Sequence, residues 1–460
     1  MKQAKVSVFK KNLLGKRWIF LAEFFSLAIP IMLQQLSGNI LNICDTIMIG
    51  KVSDKAISGV TVANKTYFIY SLLVFGITSG VSMFMSQQYG AKQFHTVKKT
   101  FCFGIKMCLV AAAVFLLFLL VVPEKVIEIF VNGEEVIQMG TDYIKIARWS
   151  YIPAALSWMT GVYYRIYEKQ KLPMIVGMVS VLLNIIFNYA FIYGNFGLPE
   201  MGIKGAALAT TLSRYIEFLI LITILFAFFN GKEIFTGKKG KLGRKDKISV
   251  IKKTIPLMVN EGIWAVALSL VFKNYCYVSE ADIPAITVVD NVFDMMNVAY
   301  VGCSMASGII AGKILGSGKM KEAWQTAKKL IFIGLAVSVS ASIFICLTAG
   351  IIPKIFSLSG SLFIMSTTLL RIKAAFSWSQ GYGETIYYIL RAGGDVKAVL
   401  LIDGLFNLYG PLLVSAVVAY GTDMPIQVVY LCTEATYLLK IFIATFFFKK
   451  GRWCNNLAGK

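Results

Sequence analysis

The sequence predicts an all-α polytopic membrane protein, with twelve transmembrane helices in two pseudo-symmetric six-helix lobes. Three observations predict it. Of 460 residues 57% are hydrophobic and only 15% charged, with a mean hydropathy of +0.69, where soluble domains run at roughly 45–50% apolar and about 25% charged. Apolar runs of bilayer-crossing length recur, bounded by charge or by Gly/Pro clusters, at 20–49, 57–86, 100–122, 138–164, 172–194, 203–229, 252–278, 284–314, 325–350, 362–390, 397–420 and 425–448. The second half also repeats the first. One gap-free shift carries IPIMLQQ at 29–35 onto IPLMVNE at 255–261, Gly76 onto Gly302, Gly90 onto Gly316 and Arg165 onto Arg391. Six spans is an even number, so the copies share one orientation about an axis along the membrane normal; in transporters of that build the substrate path lies between the halves.

Charge sets the orientation. The chain carries 46 Lys and Arg against 24 Asp and Glu, a net charge of +22, which in a soluble protein would point to nucleic acid. Here the bases gather in the two tails and in the loops after even-numbered spans. The loops after odd-numbered spans, with the span edges beside them, hold only Lys51, Lys55, Lys125, Lys204 and Lys354. The positive-inside rule then puts both termini in the cytoplasm, and the basic face meets anionic lipid of the inner, cytoplasmic membrane. The basic N-terminal segment leads into a run too long for a signal peptide and is read as an uncleaved first span. The eight cysteines form no CxxC pair, and all but Cys454 fall inside spans, so they are read as buried thiols without metal or disulfide. There is no Walker A sequence and no loop long enough for a nucleotide-binding domain, so the chain is expected to be no enzyme and to need no cofactor or ATPase subunit.

In chain order, span one, SLAIPIMLQQLSGNILNICDTIMIG at 26–50, holds Gln35, Gly38, Asn42 and Asp45 at steps of three, four and three, which places them on one helix face. An ionisable residue there marks an ion or substrate pathway, or else pins helices together. Span two carries Lys65. The loop at 122–142 is acidic, as the outside of a positive-inside protein is. In span five, LLNIIFNY sets Asn184 and Asn188 one turn apart, and span six opens with GIKGAALATTLSR, small residues for close helix approach plus the hydroxyls of Thr210 and Thr211. A carboxylate with amide and hydroxyl oxygens suits sodium, and a carboxylate alone suits a proton. The polar, basic segment 230–249 is the linker between lobes 1–229 and 250–460. Span seven holds Glu261 at the repeat position of Gln35, and Lys273. In span eight, VVDNVFDMM puts Asp290 and Asp294 on one face, a pair suited to proton handling or to pairing with Lys65 and Lys273. Met295, Met296 and Tyr300 would make an adaptable apolar wall. Spans ten, eleven and twelve carry Glu384, Asp403 and Glu434.

These residues resemble the multidrug and toxic compound extrusion (MATE) family of secondary transporters. The resemblance runs over nearly the whole chain through CDTIMIG at 44–50, GITSGVSMFMSQQYGAK at 76–92, LLNIIFNYAFIYGNFGLPEMGIKGAALAT at 182–210 and IPLMVNEG at 255–262. It implies two six-helix lobes meeting in a V around a central cavity, and export of organic, often cationic or amphipathic, compounds in antiport with H+ or Na+. It implies cation binding at Asp45, Asn184, Asn188 and Thr210, with Na+ at the first three if sodium is the ion. Glu261 matches the seventh-span glutamate of the bacterial norfloxacin-exporter branch. The tenth-span aspartate of that branch falls on the uncharged Gln380, one turn from Glu384, which is the candidate substitute. Lys65 and Lys273 near a cavity for cations are a second departure. A monomeric exporter with a small-molecule substrate, a lipid surround and no nucleic-acid partner is the expectation. The rivals are a flippase for lipid-linked oligosaccharides, which needs a basic cavity for pyrophosphate, and a membrane sensor without transport.

Overall fold

The computed structural model describes residues 2–131, 133–229, 242–356 and 358–459. Twelve helical rods of membrane length make up the protein, with no strand among the described residues. They are α1 (Lys2–Gly50), α2 (Asp54–Gly90), α3 (Phe94–Val121), α4 (Glu134–Ala147 running through Arg148–Ser150 into Tyr151–Ile166), α5 (Lys171–Tyr193), α6 (Gly202–Phe228), α7 (Arg244–Val278), α8 (Ile283–Gly316), α9 (Met320–Thr348), α10 (Gly360–Ala392), α11 (Val396–Gly421) and α12 (Ile426–Lys450). The Ser53 hydroxyl caps the start of α2 by accepting from Ala56 N–H at 3.0 Å. α5 ends on Gly194 at φ +69°, a left-handed turn that a side chain would strain. Of the expected linker, residues 230–241 lie outside the described residues, and α7 already begins at Arg244.

Ten of the rods are long and apolar enough to cross a membrane by composition alone. The other two, α4 and α10, are shielded from lipid by their neighbours. α10 buries Lys373, Ser377, Gln380, Thr385 and Arg391, and a helix so enclosed has no need of an apolar surface. The twelve spans read from the sequence therefore stand.

The internal repeat is also a spatial one. A Cβ added to Gly76 would stand 2.8 Å from Met258 Cα, and one added to Gly302 would stand 2.4 Å from Met32 Cγ. The shift that relates the two glycines relates the two methionines. At the helix ends the pattern recurs: a Cβ on Gly90 would lie 1.8 Å from the Lys313 carbonyl oxygen, and one on Gly316 1.8 Å from that of Gln87. So α2 and α8 cross the opposite lobe backbone to backbone about a two-fold axis. The C-terminal segment seals this end. Trp453 is buried against Trp324 and Phe448, with ring centroids 5.5 and 5.3 Å away. Gln87 Nε2 donates to the carbonyls of Ala392 at 2.8 Å and Asn455 at 3.2 Å.

At the other end of the rods Asn42, Asn64, Lys65, Lys273, Asp290, Asn291 and Asp294 are exposed. Side chains of this polarity do not face hydrocarbon, so they meet water. Lys65 and Lys273 are thus neither embedded nor paired with the two aspartates, contrary to one reading of the sequence.

Adding a methyl at a backbone crossing overpacks it, which costs about 1–3 kcal/mol. Gly90→Ala and Gly316→Ala should each lower the thermal unfolding midpoint in detergent by a few degrees. Gly38→Ala, with nothing within 4 Å of the added carbon, should leave it unchanged or slightly raised.

Candidate functional site

The acid of α1 meets the amides of α5. Asn188 Nδ2 donates to Asp45 Oδ1 at 2.5 Å, and both Asn188 and Asn184 are fully buried. Asn184 Nδ2 reaches Thr210 Oγ1 at 3.3 Å and Ser213 Oγ at 3.4 Å on α6. In that orientation the Asn184 oxygen accepts from Asn188 at 2.9 Å and stands 2.8 Å from Asp45 Oδ1. Two acceptors that close make no hydrogen bond, so the amide is better satisfied the other way round. Turned over, the same amide donates to Asp45 and accepts from the Thr210 N–H at 3.3 Å, which suits a bare carboxylate. Asn188 Oδ1 is buried without a partner. Beside Asp45 lies a cavity of about 40 Å³ lined by Asn42, Tyr67, Tyr143, Tyr151, Thr210 and Arg214, room for a water or a single ion.

Leu41 and Arg214 also line a second cavity of about 340 Å³, to which both lobes contribute. Gln35 and Gly38 from α1, Ser79 and Ser82 from α2, Trp158 from α4, and Met305 and Tyr388 from α8 and α10 form its walls. The α1 face read from sequence is therefore divided, with Gln35 and Gly38 on the large cavity and Asn42 and Asp45 on the small one. The charged side chains of the large cavity are Arg165, Arg214, Glu217 and Arg391. Arg214 donates to Glu217 at 3.0 Å, and Arg165 Nη2 donates to Gln34 Oε1 at 2.7 Å. The Arg391 guanidinium lies 5.2 Å from the Phe75 ring of the other lobe.

Three buried acids of the second lobe, Glu261, Asp403 and Glu434, are already answered by bases. Arg391 Nη1 donates to Glu261 Oε1 at 3.1 Å and to the Tyr387 hydroxyl at 2.6 Å, and that hydroxyl donates to Glu261 at 3.2 Å. Asn260 Nδ2 donates to Asp403 Oδ2 at 3.0 Å, and Lys440 Nζ to Asp403 Oδ1 at 3.1 Å. Around Asp403, α11 widens into π-turns at Leu401–Leu405 and Leu408–Leu412. Pro411 has no N–H for the turn before it, and the displaced backbone finds other partners. Gly404 N–H donates to Asn260 Oδ1 at 2.9 Å, and Asn407 Nδ2 donates to the Asp403 carbonyl at 2.7 Å.

Three expectations change. Gln380 carries no charge, but it donates to Glu434 Oε2 at 3.2 Å, and Lys373 pairs with the same carboxylate at 2.7 Å; the charge at this level of the lobe comes from α12. Glu384 makes no hydrogen bond or ion pair among the described contacts, and it sits in the field of Lys440, Asp403, Glu261 and Arg391. Asp290 and Asp294 are exposed on α8, and the base whose field reaches both is Lys373. Sequence reasoning did not foresee Arg165, Arg214, Lys373 or Lys440 as members of these clusters. A base inside a span was the available signal, but, except for Arg214 with Glu217 on the same helix, the partner lies on another helix.

A protein-family model described as MatE matches residues 30–190 and again residues 259–419. The chain is similar to a protein of Thermotoga maritima called probable multidrug resistance protein NorM, 24% identical over 94% of this chain and 92% of the relative. A like-named protein of Haemophilus ducreyi is 25% identical over 88% of each chain. Among solved structures, a mutant of the Vibrio cholerae MATE transporter VcmN superposes with a TM-score of 0.87 at 16% identity, covering 95% of this chain and 98% of that one. An outward-facing MATE family transporter of the MOP superfamily superposes at 0.86, also at 16% identity, over 94% and 95% of the two chains. At these identities the superpositions speak for the fold.

Glu434→Leu leaves Lys373 buried without its counter-charge, which costs about 3–5 kcal/mol. The thermal midpoint of the single variant should fall sharply. Lys373→Met added to it should restore most of the loss, as measured by unfolding in detergent.

Proposed function

The chain belongs to the MatE family, and from that membership we propose that it is a secondary active efflux transporter, exporting small amphipathic organic compounds in antiport with a cation by alternating access. The observation that carries the reading is the Asp45 site. It is an acid inside the first lobe, met by the Asn188 amide and by no base within ion-pair distance, with Arg214 on the wall of the same small cavity, so its charge is open to exchange for a bound ion. Every other acid in an interior cluster of hydrogen bonds, Glu217, Glu261, Asp403 and Glu434, has an Arg or Lys at hand.

The first reading of the ion is a proton, which a carboxylate with an amide beside it and no base at ion-pair distance can accept alone. Sodium is the second reading, supported by the unpartnered Asn188 Oδ1, which with Asp45 and the Asn184 oxygen would offer a hard-oxygen shell. By the positive-inside rule the end sealed at Gly90 and Gly316 faces the cytoplasm. The water-lined end then opens outward, where cargo leaves and the ion enters. Neutralising Asp45 changes how α1 packs on α5, and coupling needs only that ion and cargo favour opposite states. One chain supplies both cavities, so a monomer in the cell membrane suffices, without nucleotide or cofactor.

Lys65 and Lys273, the feature that would have favoured an oligosaccharide flippase, line neither cavity. A sensor without transport would have no use for an interior acid left free of a base.

In proteoliposomes with an imposed pH or sodium gradient and a fluorescent amphipathic dye, the parent should drive dye movement with one gradient and not the other. Asp45→Asn should reduce that movement to the gradient-free rate while its thermal midpoint stays within a few degrees of the parent. Coupled movement that survives the substitution refutes the proposed site.

A further inference from the structure

The cavity between the lobes is basic. Its one carboxylate, Glu217, is already held by Arg214 at 3.0 Å. Arg391 is only 2% exposed, and it commits Nη1 to Glu261 and Tyr387 while Nε and Nη2 have no partner. Arg165 has no carboxylate among its described contacts; Nη2 donates to the neutral Gln34, and Nε is buried and unpartnered. Buried donors on a charged group are costly to leave unmet. Here the unmet donors belong to two residues that line one cavity, that come from opposite lobes, and that the internal repeat makes equivalent.

We propose that this cavity binds an anionic group of the cargo, a carboxylate or phosphate, between Arg165 and Arg391, so that the exported class is amphipathic anions or zwitterions and not simple organic cations. Calling the ligand cargo rests on the export reading above; the anion site itself does not. The planar guanidinium fork matches carboxylate and phosphate oxygens in pairs. Ser79 and Ser82 add hydroxyls, and Phe75, Trp158 and Met305 provide an apolar wall for the rest of the molecule. About 340 Å³ fits a drug-sized body, while a lipid-linked oligosaccharide would overfill it. The two arginines sit on different lobes at the sealed end. An anion entering from the cytoplasmic side would therefore draw them together and favour closure behind it, which gives cargo the differential affinity that alternating access needs.

The test uses the full chain in lipid nanodiscs and two xanthene dyes that differ in one group: rhodamine B, a zwitterion with a free carboxylate, and its ethyl ester, a cation. By fluorescence anisotropy the free acid should bind about tenfold more tightly than the ester, the worth of one charge-assisted pair. Arg165→Gln should remove that preference by weakening the acid and not the ester, which loses a repulsive charge, while Lys65→Gln should alter neither. Arg391→Lys keeps the charge but loses the fork, and should weaken the acid alone. Equal binding of both dyes by the parent, or acid binding untouched in Arg165→Gln, overturns the proposal. Displacement of the acid by a polyprenyl phosphate in the disc at equal concentration overturns the assignment to soluble cargo in favour of a lipid headgroup. Acid-selective binding without gradient-driven movement of either dye would refute the export reading and leave the anion site standing. Gradient-driven movement of the ester alone would do the reverse.

Discussion

A charge held out of water must keep a counter-charge or a full set of hydrogen bonds beside it, and the interior of this protein is arranged around that requirement. In the second lobe the answer is Arg391 with Glu261, Lys440 with Asp403 and Lys373 with Glu434. These pairs tie α10 to α7 and α12, and α11 to α12. They explain why α10, the least lipid-like of the long helices, sits inside. Breaking any one pair strands a charge, so the lobe is held by contacts that act together.

The first lobe answers differently. Asp45 is met by Asn188, which bonds Asn184, and Asn184 in turn reaches the hydroxyls of α6, a chain of neutral groups that stabilises a carboxylate without neutralising it. The two lobes share a backbone plan through the repeat, yet Glu261, Asp403 and Glu434 of the second lobe are each paired with a base, whereas Asp45 of the first is not. That asymmetry follows from side chains at equivalent positions: Gln34 and Gln35 stand where the second lobe has Asn260 and Glu261. Gln34 is content with Arg165, whereas Glu261 draws in Arg391.

The lobe interface depends on glycine for a geometric reason. Gly76, Gly302, Gly90 and Gly316 let helices of opposite lobes touch along their backbones, an approach any side chain would prevent. Contacts so dependent on shape can be made and broken as units. Polar residues open to water at the far end are the complement of that seal.

The sequence by itself determined that the protein crosses a membrane twelve times, that its halves are copies, and that Asn42 shares a helix face with Asp45. Those facts follow from local composition, periodicity and repetition, all of which read along the chain. It also brought Asn184, Asn188 and Thr210 together with Asp45, through a resemblance and not through spacing. Only the tertiary structure decided that Gln380 works through Glu434, that Asp290 and Asp294 meet water, and that Arg165 and Arg391 face one cavity. The partners in each case lie on helices from 54 to 226 positions apart in sequence or on opposite lobes. Which buried charge meets which depends on how the rods are rotated and crossed, a property of packing that no local pattern encodes.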